Sequence, residues 1–293
     1  MLAVIGTVPD PDFPLVSGTA ALDGDRLTVA GCTCQVNRGT PALLAAAVQT
    51  AQSLGQPLPH TYLIGDIGLG DGSKKLYEYL SSHLGQTQFS TLCFHYLLPD
   101  VDWHNRVLFS VEEMPKRPIL IADAGFMYVA KMSGMATVYD LFTPDAGELA
   151  FLADEEAPHP FYTRGFILHD DNRIPDLIKR AHTFDNAAKY LLVKGEIDYI
   201  ACRGEILAQV SAPSLEVLEP IGGTGDTITG IAAALIDSGR SIPEAAIIAA
   251  RTNRLAGLYA NPNPATQVSE IIKYLPKALR TILSEEETIN ASI

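Results

Sequence analysis

Residues 220–239 read PIGGTGDTITGIAAALIDSG, a glycine-rich turn that leads directly into an apolar helix pattern. The small residues at the turn allow a tight bend with exposed amide protons, and the apolar residues that follow recur with the 3.6-residue period of a helix. Amides at the positive end of a helix dipole bind anions such as phosphate. The stretch therefore predicts an anion site formed by Gly222, Gly223, Thr224 and Gly225.

Asp226 directly follows this turn, and its carboxylate has two interpretations. A negative charge beside an anion site is repulsive unless it has a chemical task, such as accepting the proton of an attacking hydroxyl. Aspartate is also a favoured N-cap residue, so Asp226 could simply cap the helix.

A second motif, LFTPDAGELAFL at residues 141–152, places Asp145 and Glu148 three residues apart after a predicted strand. On the first turn of a helix both carboxylates would point to one side. They could orient a hydrated Mg²⁺, which is typically held by one or two carboxylates and several waters. The same spacing is that of a capping box, with Asp145 as N-cap and Glu148 at the third helical position.

Strand and helix patterns alternate along most of the chain, which is typical of βαβ units. This alternation predicts an α/β fold with a mostly parallel central sheet and helices on both faces. Residues 1–293 are expected to form a single domain, with residues 154–175 as an irregular surface excursion. The predicted strands are 2–6, 26–31, 61–66, 90–97, 117–123, 136–143, 189–195 and a hairpin of 198–204 and 205–211; the predicted helices are 40–55, 73–85 and most of the chain after residue 224.

Composition narrows the class of protein. The 293 residues include 34 acidic and 21 basic ones, for a net charge of −13, which argues against a nucleic-acid surface but permits a homo-oligomer. No apolar run reaches the ~18 residues of a membrane span, and the N-terminus has no basic segment typical of a signal peptide. We therefore expect a cytoplasmic protein that does not bind membranes.

Cys32 and Cys34 could offer two thiolates to a metal, but alternation along a strand explains their spacing more simply.

The order TPDAGE … GGTGDTITG resembles the ribokinase-like superfamily and, within it, the NAD(P)H-hydrate dehydratases of the carbohydrate kinase type. Four further stretches are similar to family segments and extend the resemblance over roughly residues 39–280. They are IGDIGLGDG (64–72), LIADAGFM (120–127), YLLVKGE (190–196) and TQVSEIIKYLPKAL (266–279).

The resemblance implies a ribokinase-like three-layer sandwich that uses ATP or ADP with Mg²⁺ on a small-molecule substrate. Asp226 would activate a substrate hydroxyl, which attacks the terminal phosphate of the nucleotide. The remaining implied roles are an anion hole at Gly223, Thr224 and Gly225, nucleotide binding by Lys194, Gly195 and Gly222, Mg²⁺ binding by Glu148 with Asp145, and a substrate cleft bordered by Gly68, Gly70 and Asp123.

Two departures from the family pattern keep other functions open. Asp145 stands where the dehydratases usually have histidine and the ribokinase-type kinases have asparagine, and residues 1–38 match no glycine signature of the family. The stretch DAGFMYVAKMSG (123–134) is also similar to hydroxymethylpyrimidine kinases. A small-molecule kinase for a sugar or a heterocycle is therefore the second hypothesis, and a nucleotide-binding sensor without turnover is the third.

Three other features have alternative interpretations. The glycines of residues 65–70 do not have the spacing of a dinucleotide-binding fingerprint. Trp103 and His104 are expected in an exposed loop or a substrate lid. Arg251 and Arg254, in a largely apolar helix, are expected to pair with acidic residues or to reach an anionic ligand.

Overall fold

The computed structural model describes residues 1–163 and 174–290. Its centre is an 11-stranded sheet with the order β11-β10-β9-β8-β7-β6-β1-β5-β2-β3-β4. The strands are β1 (Leu2–Val8), β2 (Val16–Asp23), β3 (Arg26–Val29), β4 (Cys32–Gln35), β5 (His60–Gly65), β6 (Thr91–His95), β7 (Ile119–Asp123), β8 (Leu141–Phe142), β9 (Tyr190–Val193), β10 (Asp198–Cys202) and β11 (Glu205–Val210).

The middle of the sheet is parallel and both of its ends are antiparallel. Strands β5, β1, β6, β7, β8 and β9 run in one direction. The β9–β10–β11 meander extends one end, and β2, β3 and β4 extend the other. All seven residues of β1 are buried, as expected for a strand covered on both faces.

Ten helices cover the sheet in the described part of the chain. They are α1 (Thr40–Ser53), α2 (Asp71–His83), α3 (Val101–Glu112), α4 (Gly125–Met132), α5 (Ala146–Ala153), α6 (Ile174–Thr183), α7 (Thr224–Asp237), α8 (Ile242–Ala260), α9 (Val268–Ile272) and α10 (Leu275–Asn290). Helices α1 and α7–α10 pack together on one face, and α2–α6 pack on the other. Alternate residues of β1 enter the two cores, with Val4 in one and Ile5 in the other. The predicted fold class is confirmed.

The expectations for the hairpin at residues 198–211 and for the cysteine spacing are also confirmed. The hairpin of β10 and β11 turns at Gly204, whose φ of 87° lies in the left-handed region that favours glycine. Cys32 is partly exposed and Cys34 is buried on β4, so strand alternation accounts for their spacing. None of the described helices is both long and apolar enough to cross a membrane.

Other expectations are wrong or incomplete. Strand β2 was not predicted, and only Leu141–Phe142 of the expected strand 136–143 is extended, after a 3₁₀ turn at Ala136–Val138. Trp103 and His104 lie in helix α3, which Asp100 caps by accepting a hydrogen bond from the Trp103 amide. The ten residues 164–173 of the expected surface excursion lie outside the described residues.

The parallel strands end together at one edge of the sheet, where an open α/β sheet binds its ligands. Two residues there have backbones that L-amino acids rarely adopt, namely Tyr96 after β6 and Ala124 after β7, each with a φ of 51°. Strain of this kind clusters at functional sites. This edge of the sheet is therefore where the chemistry is expected.

Candidate active site

A cavity of about 660 Å³ opens at the carboxyl ends of β1, β5, β6 and β7. This volume lies within the range of small-molecule sites. Tyr96, Leu98, Pro99, Tyr128 and Phe161 give it an apolar wall. Its polar lining comes from Thr7, Arg38, Thr40, Asp66, Ser73, Glu148 and His159.

The turn before α7 has the geometry that the sequence predicts for an anion site. Gly223 is the N-cap with a φ of 95°, and a Cβ there would lie 3.2 Å from Arg38 Cα and 3.1 Å from a Val268 methyl group. Thr224, Gly225 and Asp226 form the first turn of α7, where backbone amides have no acceptor within the helix. The turn therefore offers several donors next to Arg38, a cavity residue.

Asp226 does not cap α7, because the N-cap is Gly223 and the Asp226 side chain turns away from the helix. Its Oδ2 accepts the Gly39 amide at 2.7 Å, and its Oδ1 lies 3.1 Å from His95 Nε2. Burial opposes its charged form, but the hydrogen bond and attraction of His95, with Lys194 and the Gly39 amide, hold the Asp226 pKa below its ordinary value. Asp226 is thus an ionised carboxylate, 14% exposed, beside the cavity residue Gly39.

Lys194 lies beneath the turn rather than out in the cleft. Its ammonium is 2.9 Å from both oxygens of Asp123, and the two side chains are only 10% and 1% exposed. Burial disfavours the ammonium, but the carboxylates of Asp123, Glu148 and Asp226 outweigh burial and raise the Lys194 pKa. A Cβ on Gly225 would touch the Lys194 methylenes at 3.7 Å, so the ion pair supports the anion turn from below.

Asp123, which the resemblance places along the substrate cleft, is therefore a buried partner of Lys194. The Thr229 hydroxyl also donates to Asp123 at 2.6 Å. One ligand atom each of His95, Asp123 and Asp226 lies within 4.8 Å of the others, a spacing compatible with a metal ion. The His95–Asp226 hydrogen bond and the Lys194 ammonium already occupy these atoms, so the geometry indicates an ion-pair network.

Asp145 and Glu148 form the capping box of α5, which confirms the structural interpretation of their spacing. Asp145 Oδ1 accepts the Glu148 amide at 2.8 Å, and Glu148 Oε2 accepts the Asp145 amide at 2.9 Å. Glu148 also lines the cavity, where Tyr128 donates to it at 3.3 Å. Burial raises the Glu148 pKa to about 8, Asp123 and Asp145 add to the increase, and Lys194 opposes it. Capping and cation binding are compatible here, because each carboxylate keeps free lone pairs.

The turn at residues 66–70 is not an anion site, because the Asp66 carboxylate satisfies it internally. Asp66 Oδ1 accepts the amides of Gly68, Leu69 and Gly70 at 2.9–3.1 Å. Burial opposes the charged form of Asp66, but hydrogen bonds from the Ser73 amide and hydroxyl and from the amides of Gly70 and Gly68 outweigh burial and lower the Asp66 pKa. Gly68 lines the cavity, whereas Gly70 lies at the N-cap of α2, against Leu98.

Gly195, Arg251 and Arg254 make contacts that stabilise the fold. Arg254 binds Asp198 at 2.7 Å and the carbonyl of Gly195 at 2.9 Å, so it fixes the β9–β10 turn. Arg251 pairs with Glu285. The expected pairing of these arginines with acidic residues is confirmed. His104 is fully buried and lies 2.8 Å from the Tyr139 hydroxyl, so it is not part of a lid.

Among the residues that sequence reasoning missed, Thr40 and His95 contact the Asp226 network. Thr40 Oγ1 is 3.0 Å from His95 Nδ1, and the other ring nitrogen reaches Asp226. Thr40 lies 55 residues from His95, and His95 lies 131 residues from Asp226. A short motif could not reveal contacts over such separations. The only signal was the position of His95 at the end of a predicted strand.

The chain has a ribokinase-like fold. The ribokinase-like protein of Enterococcus faecalis V583 has a similar structure, with a TM-score of 0.59 at 15% identity over 96% of this chain and 87% of that chain. The ADP/ATP-dependent NAD(P)H-hydrate dehydratase of Bacillus subtilis, co-crystallised with ATP and Mg²⁺, gives 0.58 at 15% identity over 96% and 89% of the two chains.

The model of the NAD(P)H-hydrate dehydratase family matches residues 98–277, more than half of the chain. The chain belongs to this family of enzymes. The match contains TPDAGE and GGTGDTITG and begins after residues 64–72, so it does not test the similarity of that turn.

The chain also resembles curated archaeal proteins. It is 40% identical over 242 residues to an uncharacterized protein of Methanocaldococcus jannaschii, covering 82% of this chain and all of that protein. It is 32% identical over 117 residues to the bifunctional NAD(P)H-hydrate repair enzyme of Hyperthermus butylicus, covering 39% of this chain and 21% of that enzyme.

Proposed function

We propose that this chain is an ADP- or ATP-dependent NAD(P)H-hydrate dehydratase whose base is Asp226. The observation that carries the proposal is the Asp226 carboxylate, ionised and partly exposed, on the first turn of α7 between the anion turn and the cavity. A binding module without turnover has no need of an ionised carboxylate beside an anion site.

In the proposed reaction the hydroxyl of the hydrated nicotinamide attacks the terminal phosphorus of the nucleotide. The bond from this phosphorus to the nucleotide breaks, and Asp226 takes the hydroxyl proton. The phosphate then leaves with the former hydroxyl oxygen, and loss of a proton from the neighbouring ring carbon restores the double bond. The amides of Thr224 and Gly225 would stabilise charge on the transferring group.

Mg²⁺ would neutralise charge on the nucleotide phosphates when bound. Glu148 and Asp145 fit such an ion, because both offer carboxylate oxygens, the ligands that Mg²⁺ prefers. Glu148 lines the cavity, and no described residue forms a direct ion pair with it. A bound cation would stabilise the charged form of Glu148 and so offset the effect of burial, which raises the Glu148 pKa.

The test is recovery of NADH absorbance from hydrated NADH with ATP and, separately, with ADP. We expect the wild type to restore absorbance and Asp226→Asn to lose at least a hundredfold in kcat, since general-base catalysis typically contributes 10²–10⁴-fold. Asp237→Asn is the matched control, because Asp237 lies at the far end of the same helix, about 16 Å away. No recovery by a wild-type protein that binds nucleotide would reject the proposal and favour another hydroxyl acceptor.

A further inference from the structure

We propose that His95 is a positioning residue for the Asp226 base and that Thr40 fixes the orientation of the His95 ring. This inference rests on the proposed function, because it assigns a role to the surroundings of the same carboxylate. His95 is fully buried and therefore acts on substrate only through Asp226.

The hydrogen bonds determine which ring nitrogen carries the proton. An ionised carboxylate only accepts hydrogen bonds, so His95 Nε2 donates to Asp226 Oδ1 across 3.1 Å. His95 Nδ1 lies 3.0 Å from the Thr40 hydroxyl, so the two ring nitrogens contact different partners. Thr40 thus helps to hold the ring in the orientation that presents Nε2–H to the base.

Two donors from different elements fix the plane of the Asp226 carboxylate. Gly39, just before α1, holds Oδ2, and His95, at the end of β6, holds Oδ1. The remaining lone pairs are available to a substrate hydroxyl. A base held in one orientation needs no rearrangement when the substrate hydroxyl arrives.

Thr40 and the His95 backbone pack closely against Gly6 of β1. A Cβ on Gly6 of β1 would lie 2.4 Å from the His95 carbonyl oxygen and 2.5 Å from Thr40 Oγ1. Glycine at this position therefore allows α1 to approach the strand ends closely enough for the Thr40–His95 contact.

His95→Leu and His95→Gln test the assignment, since Gln keeps a side-chain donor where Leu has none. We expect His95→Leu to lose tenfold to a hundredfold in kcat, the usual value of a hydrogen bond to a charged group, with KM changed less than twofold. His95→Gln should recover most of the loss. His104→Gln is the matched control, because it removes a second fully buried histidine away from the base.

The pH profile separates positioning from general damage to the fold. Without the His95 donor the Asp226 pKa rises, so the acid limb of kcat should move to higher pH in His95→Leu but not in His104→Gln. The other ionisable groups around Asp226 remain in both variants: Lys194 from β9, Asp123 from β7 and the Tyr96 hydroxyl.

Thr40→Val tests whether Thr40 fixes the orientation of the His95 ring, because valine keeps the shape of the side chain and removes its hydroxyl. We expect a severalfold fall in kcat, whereas Thr50→Val should leave kcat unchanged. Thr50 is also buried on α1, and its hydroxyl has no hydrogen-bond partner among the described residues. Equal effects of the two substitutions would overturn the role of Thr40.

A carbon-13 NMR titration of the Asp226 carboxyl gives a readout that does not require turnover. A higher Asp226 pKa in His95→Leu supports the inference even if hydrated NADH is not the substrate. An unchanged pKa and an unchanged kcat would reject it, while an inactive wild type would reject the proposed function alone. Thr40→Val in the same titration serves if His95→Leu does not fold.

Discussion

Replacing Lys194 by methionine should destabilise the protein by 3–5 kcal/mol, the usual cost of removing one partner of a buried ion pair. The Lys194 ammonium is 2.9 Å from each oxygen of Asp123, whose side chain is 1% exposed. Methionine has a similar volume but no charge, so among the described residues it would leave this buried carboxylate with only the Thr229 hydroxyl and the Ala124 amide as hydrogen-bond donors.

Urea unfolding at neutral pH measures this loss, and the double variant Lys194→Met with Asp123→Asn isolates the pair. The double variant should regain most of the stability, since neither a charge nor an unpaired cation remains. If Lys194 instead held nucleotide phosphates, the single variant would keep its stability and lose nucleotide affinity. A destabilisation below about 1 kcal/mol, or a double variant no more stable than the single one, would refute the buried-pair interpretation.

Three further outcomes follow from single residues. Gly230→Ala should separate α1 from α7 and lower the melting temperature in a thermal scan, because its Cβ would lie 2.0 Å from the Leu43 carbonyl oxygen; an unchanged melting temperature would contradict this close packing. Burial lowers the His104 pKa to about 4, whereas an unfolded chain protonates this ring near 6.5, so the protein should lose stability as pH falls from 6.5 towards 4. His104→Gln should remove about 3 kcal/mol of that loss in urea titrations at neutral and acidic pH, and an unaltered pH dependence would argue against it. Arg38→Met, at the exposed cavity mouth beside Gly223, should raise KM for a phosphate-bearing substrate about tenfold with kcat unchanged, and an unchanged KM in low-salt kinetics would exclude a role in binding.

The sequence predicts the parts of the site whose chemistry is local. The turn before α7 combines glycines with an apolar helix, and the 145–148 spacing matches a capping box, so both are readable within a few residues. Helix α3 was not predicted from the sequence, although His104, Leu108 and Val111 follow Asp100 at helical spacing. The polar residues between them concealed this pattern.

The rest of the site depends on contacts between distant segments. Lys194 suggests a phosphate ligand until Asp123, 71 residues away in the chain, is placed against it. The glycines after β5 suggest exposed amides until the Asp66 carboxylate is seen to satisfy them. Strand β2 has an irregular burial pattern, because it joins the parallel core to an antiparallel edge, and so it lacks the alternation that identifies a strand.

The carboxylates of Asp123, Asp226 and Glu148 lie around the anion turn and have different partners. These partners determine what each carboxylate can do. Asp123 is paired with a buried ammonium and cannot approach a ligand, so it supplies charge balance. Asp226 is kept ionised by hydrogen bonds but remains partly exposed, which suits a base. Glu148 lines the cavity with a pKa raised to about 8, so its charged form gains most from an added cation. When the surroundings of acidic groups separate their pKa values in this way, one carboxylate of a site can transfer protons while another neutralises charge. Exchanging the surroundings of Asp226 and Asp123 would place the base beneath the Lys194 ammonium. Exchanging those of Glu148 and Asp123 would bury the cation ligand where a cation in the cavity does not reach it.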